Sequence, residues 1–468
     1  MVDYKLWSLD DEPAQVVDLR EVGALDYLLD YYGRRSTQVL REVLAQVYRA
    51  GAQTAVVEFR YIDADYRDEH SAFYSTTFRR YPSVAHRIHF FTDTATEQLD
   101  DPNIPLKFAE LGYLGYVVLR PVPGAPVGRV MLRPPTDLER SVTCKAVEHV
   151  NLFGEDLEVT GTPFMAQDAQ LLRCAHAALW VVARHHHLTW HTPKLLPRAI
   201  VEAVPMETGA GRTLPSPGLT VTQMSAAATR LGLPPLVYDL TKLAAGQSLQ
   251  SIACRYLNGG LPVIVAGRGH AWVLVGYNRA PGTDDPRIQF IRQDDEAGPY
   301  QVVPDFNFDS YSPWQFLIVP LPPKLYVPGE EAELVGERWL AAAFDRDGLP
   351  FDPDSYALRT TAMLSNEYKG GLEGRGYPAE QAAILRRASM SRWIWVVEAV
   401  DRSLRDQEEP AVVGEVVVDA TDHARDRRPL AWRTPSSVTV FAPDSRRERV
   451  ARSEAPTVPL QFAREGLG

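Results

Sequence analysis

Apolar residues in this 468-residue chain come in short runs, and that feature limits its folds more than any other. A representative long run, residues 260–267 (GLPVIVAG), falls far below the roughly eighteen residues needed to cross a bilayer. The chain must therefore bury its apolar side chains against one another, in elements only a few residues long. Residues 23–32 and 39–48 repeat apolar groups at helical spacing, whereas 54–61, 87–91 and 113–120 are rich in β-branched and aromatic residues, as strands are. Prolines and glycines separate them. The turn at 121–128 (PVPGAPVG) joins 113–120 to 129–132 as a hairpin. Helices and strands mixed in this way predict an α+β fold.

Length alone suggests about three domains, and the texture of the chain changes twice. Residues 1–155 read as an α/β region. Residues 156–320 read as helices (175–186, 219–231, 248–257) followed by strands (262–266, 270–277, 287–294, 314–319). The proline-rich segment 320–328 cannot continue a central strand and marks a boundary. Beyond it, 321–468 reads as an α+β region with helices at 330–344 and 379–388 and strands at 393–398, 414–419 and 438–441.

Charge and cysteine content exclude several functions. With 49 Lys and Arg against 60 Asp and Glu, the net charge of −11 disfavours a nucleic-acid surface held by phosphate contacts. Residues 209–212 (GAGR) and 267–269 (GRG) lack the helix and glycine spacing of a nucleotide cradle, so no cofactor is expected. Three cysteines, Cys144, Cys174 and Cys254, form neither a disulfide framework nor a CxxC zinc site. The histidines His176, His185, His186, His187 and His191 lack a completing Cys or carboxylate, and no metal is expected there. Arg120 and Arg129 flank the 121–128 turn and read as solvated charges. The first twelve residues show no basic segment leading into an apolar one, so a cytoplasmic protein with no membrane partner is expected.

Chemistry concentrates in the central region. Cys174 stands at the predicted start of a helix, where orphan N–H groups and the dipole favour a thiolate. His270 opens an apolar strand, HAWVLVGY, and Asp294 and Asp295 end another, IQFIRQDDE. A hairpin centred on Gly282 would set Tyr277 opposite Arg287 and His270 opposite Asp294, with Asp295 on the other face. Gln167 and Gln170, upstream of the cysteine, are candidate amide donors to an oxyanion.

The order Gln, Cys, His, Asp resembles the papain-like cysteine peptidase superfamily, closest to its compact bacterial branch, the double-glycine leader peptidases and their relatives. The resemblance covers roughly residues 160–320. It implies a central papain-like domain with Cys174 as nucleophile, His270 as base, Asp294 as its orienting residue and Gln167 as oxyanion donor. The family's glutamine lies six residues before the cysteine and Gly follows it; here Gln167 lies seven before, Gln170 four before, and Ala175 follows. The implied activity is cysteine peptidase or isopeptidase chemistry on a protein or peptide substrate, with a regulatory partner protein as a possible further contact. An inactive papain-like binding module and an acyltransferase or transglutaminase remain open.

Overall fold

The computed structural model describes residues 14–32, 38–94, 107–205, 218–244, 247–267, 269–279, 288–303, 314–352, 355–374, 377–401, 412–422, 428–441 and 448–452. Residues 209–212, Arg268, Gly282 and Arg287 of the readings above lie outside them. The fold is α+β with antiparallel sheets, and it divides into two compact units, 1–249 with 262–322 and 250–261 with 323–468.

The first unit begins with strands β1 (Ala14–Asp18), β2 (Thr54–Tyr61), β3 (Ala85–Phe91), β4 (Tyr113–Leu119) and β5 (Val127–Leu132). The hairpin β6 (Ala146–Leu152) and β7 (Glu155–Gly161) follows, then the short β8 (Phe164–Met165). Every residue of β3 and β4 is buried, as in strands covered on both faces, while β6 and β7 alternate buried with exposed positions. The first sheet runs β1-β2-β3-β4-β5-β8, and β4 and β5 form the expected hairpin. Helices α1 (Ala24–Tyr32), α2 (Gln38–Arg49) and α3 (Ala64–Ala72) accompany it.

Helix α4 (Cys174–Trp190) is buried on nearly all sides, which its alanines at 175, 177, 178 and 183 allow. After α5 (Pro197–Ala203) and α6 (Val221–Arg230) comes a second sheet. Its strands are β9 (Pro235–Asp239), β10 (Val263–Gly267), β11 (His270–Arg279), β12 (Ile288–Asp294), β13 (Gly298–Val303) and β14 (Trp314–Pro320), in the order β13-β12-β11-β10-β14-β9. Helix α4 packs on β11.

The register between β11 and β12 differs from the expected one. Tyr277 pairs with Phe290, not Arg287, and Val273 pairs with Gln293, with a shift between Leu274 and Gly276. A third segment causes the shift: the Val275 carbonyl accepts the N–H groups of Thr143 and Cys144 at 3.1 and 3.0 Å, and Val142 bridges to Gly276. Gly276 permits this approach, since a Cβ there would stand 2.1 Å from the Ser141 carbonyl oxygen.

The boundary expected at 155/156 does not separate units. Strand β8 pairs with β5, and the Tyr300 hydroxyl donates to the Leu132 carbonyl while accepting from the Thr162 N–H. The expected boundary falls inside the β6–β7 hairpin, and β8 beyond it still belongs to the first sheet.

The second unit takes in most of α7 (Leu249–Asn258), then α8 (Gly329–Arg346), α9 (Ser365–Gly370) and α10 (Ala379–Arg387). Its sheet follows sequence order through β15 (Tyr356–Leu364), β16 (Trp393–Asp401), β17 (Val412–Asp419), β18 (Ala431–Arg433), β19 (Ser437–Phe441) and β20 (Glu448–Arg452). Arg255 of α7 pairs with Glu333 of α8 at 2.6 Å. Among the described residues, no helix is long and apolar enough to cross a membrane.

Candidate functional site

Cys174 is the first residue of α4 and is half-buried. The loop before it is fixed from within. Asp168 Oδ1 accepts the N–H groups of Leu172 and Gln170 at 2.8 and 3.0 Å, and the Tyr74 hydroxyl donates to Oδ2. At the helix start, His176 Nδ1 accepts the Arg173 N–H at 3.3 Å, in the manner of a capping-box side chain. Burial holds His176 down to about 4 against the pull of Asp168, so the ring is neutral and free to accept.

Arg120 fixes the same loop from the first sheet. It is buried, binds both oxygens of Glu69 at 3.0 and 3.1 Å, and donates to the carbonyls of Val127, Ala166 and Gln167 at 2.5, 3.2 and 3.4 Å. Arg129 is half-buried, on Asp63 and Glu148. These two arginines do recognise carboxylates, but internal ones, and neither is the solvated turn charge that the sequence suggested.

His270, first in β11, meets Asp294 Oδ1 through Nε2 at 3.1 Å. Cys174 also bears on the ring from the start of α4 and favours its protonated form. Burial disfavours charge on the ring, but the hydrogen bonds to Asp294 and Cys174 and the field of Asp294 and Asp295 outweigh it and hold His270 up to about 10. Asp294 is held below the usual carboxylate range: burial opposes this, and His270, Arg292 and the Glu296 N–H overcome it.

Asp295 also comes to His270, with Oδ1 3.9 Å from Nε2. The shifted register ends the β11–β12 pairing before these residues, and Asp294 begins a tight turn closed by the Ala297 N–H on its carbonyl at 3.1 Å. Both acids thus approach the imidazole, and the expectation of opposite faces is overturned. His270, Asp294 and Asp295 are the one group of three or more potential ligands among the described residues with ligand atoms within 4.8 Å of one another. His270 Nε2 is engaged by Asp294 there.

The structure therefore brings Cys174, His270, Asp294 and Asp295 together. Gln167 stands apart in its bonding, its amide donating to Glu296 Oε1 at 2.6 Å, and Gln170 is exposed. The histidine run is placed in the core: His185 and His186 are buried, packed against Trp190 with ring centroids 5.6 and 4.8 Å away. Sequence reading missed Asp168, Tyr74 and Arg120, which fix the loop; nothing in local spacing ties residues 74 and 120 to residue 168. The Asp-Asp pair at 294–295 was the visible signal for Asp295. No protein-family model matches the chain, and no curated protein matches it.

Proposed function

We propose that the first unit is a papain-like cysteine peptidase or isopeptidase that cleaves an amide bond of a protein or peptide. The observation that carries this reading is the placement of His270 between Cys174 and Asp294. With Nε2 turned to Asp294, Nδ1 is the nitrogen left for the sulfur. His270 already holds the proton given up by Cys174, and the thiolate attacks the carbonyl carbon. The developing oxyanion is met by the Cys174 backbone N–H at the helix start, with the Gln167 amide as second donor once it leaves Glu296. The imidazolium then protonates the leaving amine, the C–N bond breaks, and water releases the acyl group from sulfur with His270 as base. Asp294 keeps the ring oriented and stabilises its charge.

The test uses an epoxide-type cysteine trap and mass spectrometry on the full chain. The adduct is expected on Cys174, absent in Cys174→Ala, and unaffected in Cys254→Ala. Labelling of Cys254 in place of Cys174, or none on the folded protein, would overturn the reading.

A further inference from the structure

We propose that Asp295 is an uncharged acid in the resting site and the second carboxyl partner of His270, a positioning residue that governs how firmly the imidazole holds its proton. The inference rests on the acid–base reading of Cys174, His270 and Asp294.

Geometry carries it. Asp295 is 6% exposed, and neither of its carboxylate oxygens has a hydrogen-bond partner. It lines a small cavity with the apolar Phe164, Met165, Ala177, Ala178 and Val181, and with Trp272 and Gln293, the latter's amide being engaged by the Thr162 carbonyl and the Tyr300 N–H. A bare anion in such a place is strongly disfavoured and takes up a proton instead. Its neighbour Asp294 is a charge already, stabilised by Arg292 at 3.2 Å, His270 and the Glu296 N–H. Three groups bear on Asp295: His270 from β11, and Asp294 and Glu296 from its own turn. The two acids oppose its ionisation and the imidazolium favours it; Cys174, on α4, reaches it only through His270.

Burial first, then Asp294 and Glu296, push Asp295 up to about 8, below the value of about 10 at which His270 releases its proton. The two groups titrate as a coupled set in that order. At neutral pH the site holds one carboxylate, one imidazolium and one neutral acid. Under alkaline conditions Asp295 becomes a second anion 3.9 Å from the ring and strengthens its grip on the proton.

The experiment follows the His270 ring by NMR in histidine-labelled full-length protein, wild type against Asp295→Asn, which keeps the shape of the neutral acid. The His270 signal is expected to be the same in both below about pH 7, and proton binding in the variant is expected to weaken at least tenfold above about pH 8. A carboxylic-acid infrared band present at neutral pH in the wild type and missing in the variant is the second readout. An identical His270 titration in both proteins would overturn the proposal, as would a variant already altered at pH 6 or a divalent metal retained one-to-one by the wild type. If the variant does not fold, loss of the wild-type acid band between about pH 7 and 9, in step with the His270 signal, decides the question alone. These signals report protonation and not turnover. An unreactive Cys174 would therefore sink the proposed function while leaving the Asp295 result to stand or fall separately.

Discussion

Two clusters of buried charge in the first unit solve the same problem differently. In the cluster on the first sheet, every carboxylate meets a fixed donor: Asp63 takes Arg129 at 2.6 Å, Glu148 takes Arg184, and Asp65 takes the Trp180 indole N–H at 2.8 Å. At the second sheet, Asp294 is matched by His270 and Arg292, but the carboxyl oxygens of Asp295 meet no other side chain's donor among the described residues. The first arrangement holds its carboxyl groups on fixed donors and joins α3, β5, β6 and α4. The second leaves a proton able to move. On the proposed function, permanent pairing serves architecture, and incomplete pairing beside a histidine and a cysteine serves reactivity.

The largest effect should come from breaking the locked cluster. Arg129→Ala strands Asp63 without its cation and leaves Glu148 with Arg184 alone, and the expected loss is about 3–5 kcal/mol of unfolding free energy in a denaturant titration. If the variant is as stable as the wild type, the cluster does not hold the unit together. Next comes the matched acid of the site: Asp294→Ala should lower kcat/KM roughly 10- to 10⁴-fold with folding retained, and Asp295→Ala much less. Equal losses would erase the distinction between the two acids.

A further effect concerns stability and Asp295 alone, and is read as a change with pH rather than as a loss on truncation. Its folded-state value of about 8 lies above the ordinary 3.8, so the folded protein keeps a proton that the unfolded chain gives up. That contribution is complete below about pH 4 and is lost as pH rises toward 8. Wild-type stability measured against Asp295→Asn should therefore decline across that window and level off above it. A difference that rises with pH would mean an ionised, stabilised Asp295.

Local pattern made much of the scaffold legible. Helical spacing at 23–32 and 39–48 corresponds to α1 and α2, and the β-branched run at 54–61 coincides with β2. Helix α3 was not legible, because its buried face includes Asp65 and Glu69, whose burial depends on Trp180 and Arg120 far away in sequence. Apolar periodicity cannot report such a face. Strand β9, partly exposed along its length, also lacked a clear signal. The residue types at 174, 270 and 294 pointed to one site, and the structure gathers them, but by a route the hairpin arithmetic did not contain. Residues 141–144 insert against Gly276, where the β11–β12 register shifts by one residue. Asp294 reaches His270 from the last position of β12, and Asp295 comes with it from the turn that follows.

The central claim is that Cys174 and His270 work as a charge pair, and iodoacetamide tests it without any substrate. Alkylation of Cys174 would be timed by mass spectrometry across pH in the folded wild type and in His270→Ala. The account predicts rapid modification of the wild type well below pH 7, where an ordinary thiol of pKa about 8.5 is almost wholly protonated, and at least tenfold slower modification of the variant there. Equal rates in the two proteins, both rising only as a free thiol does, would contradict it.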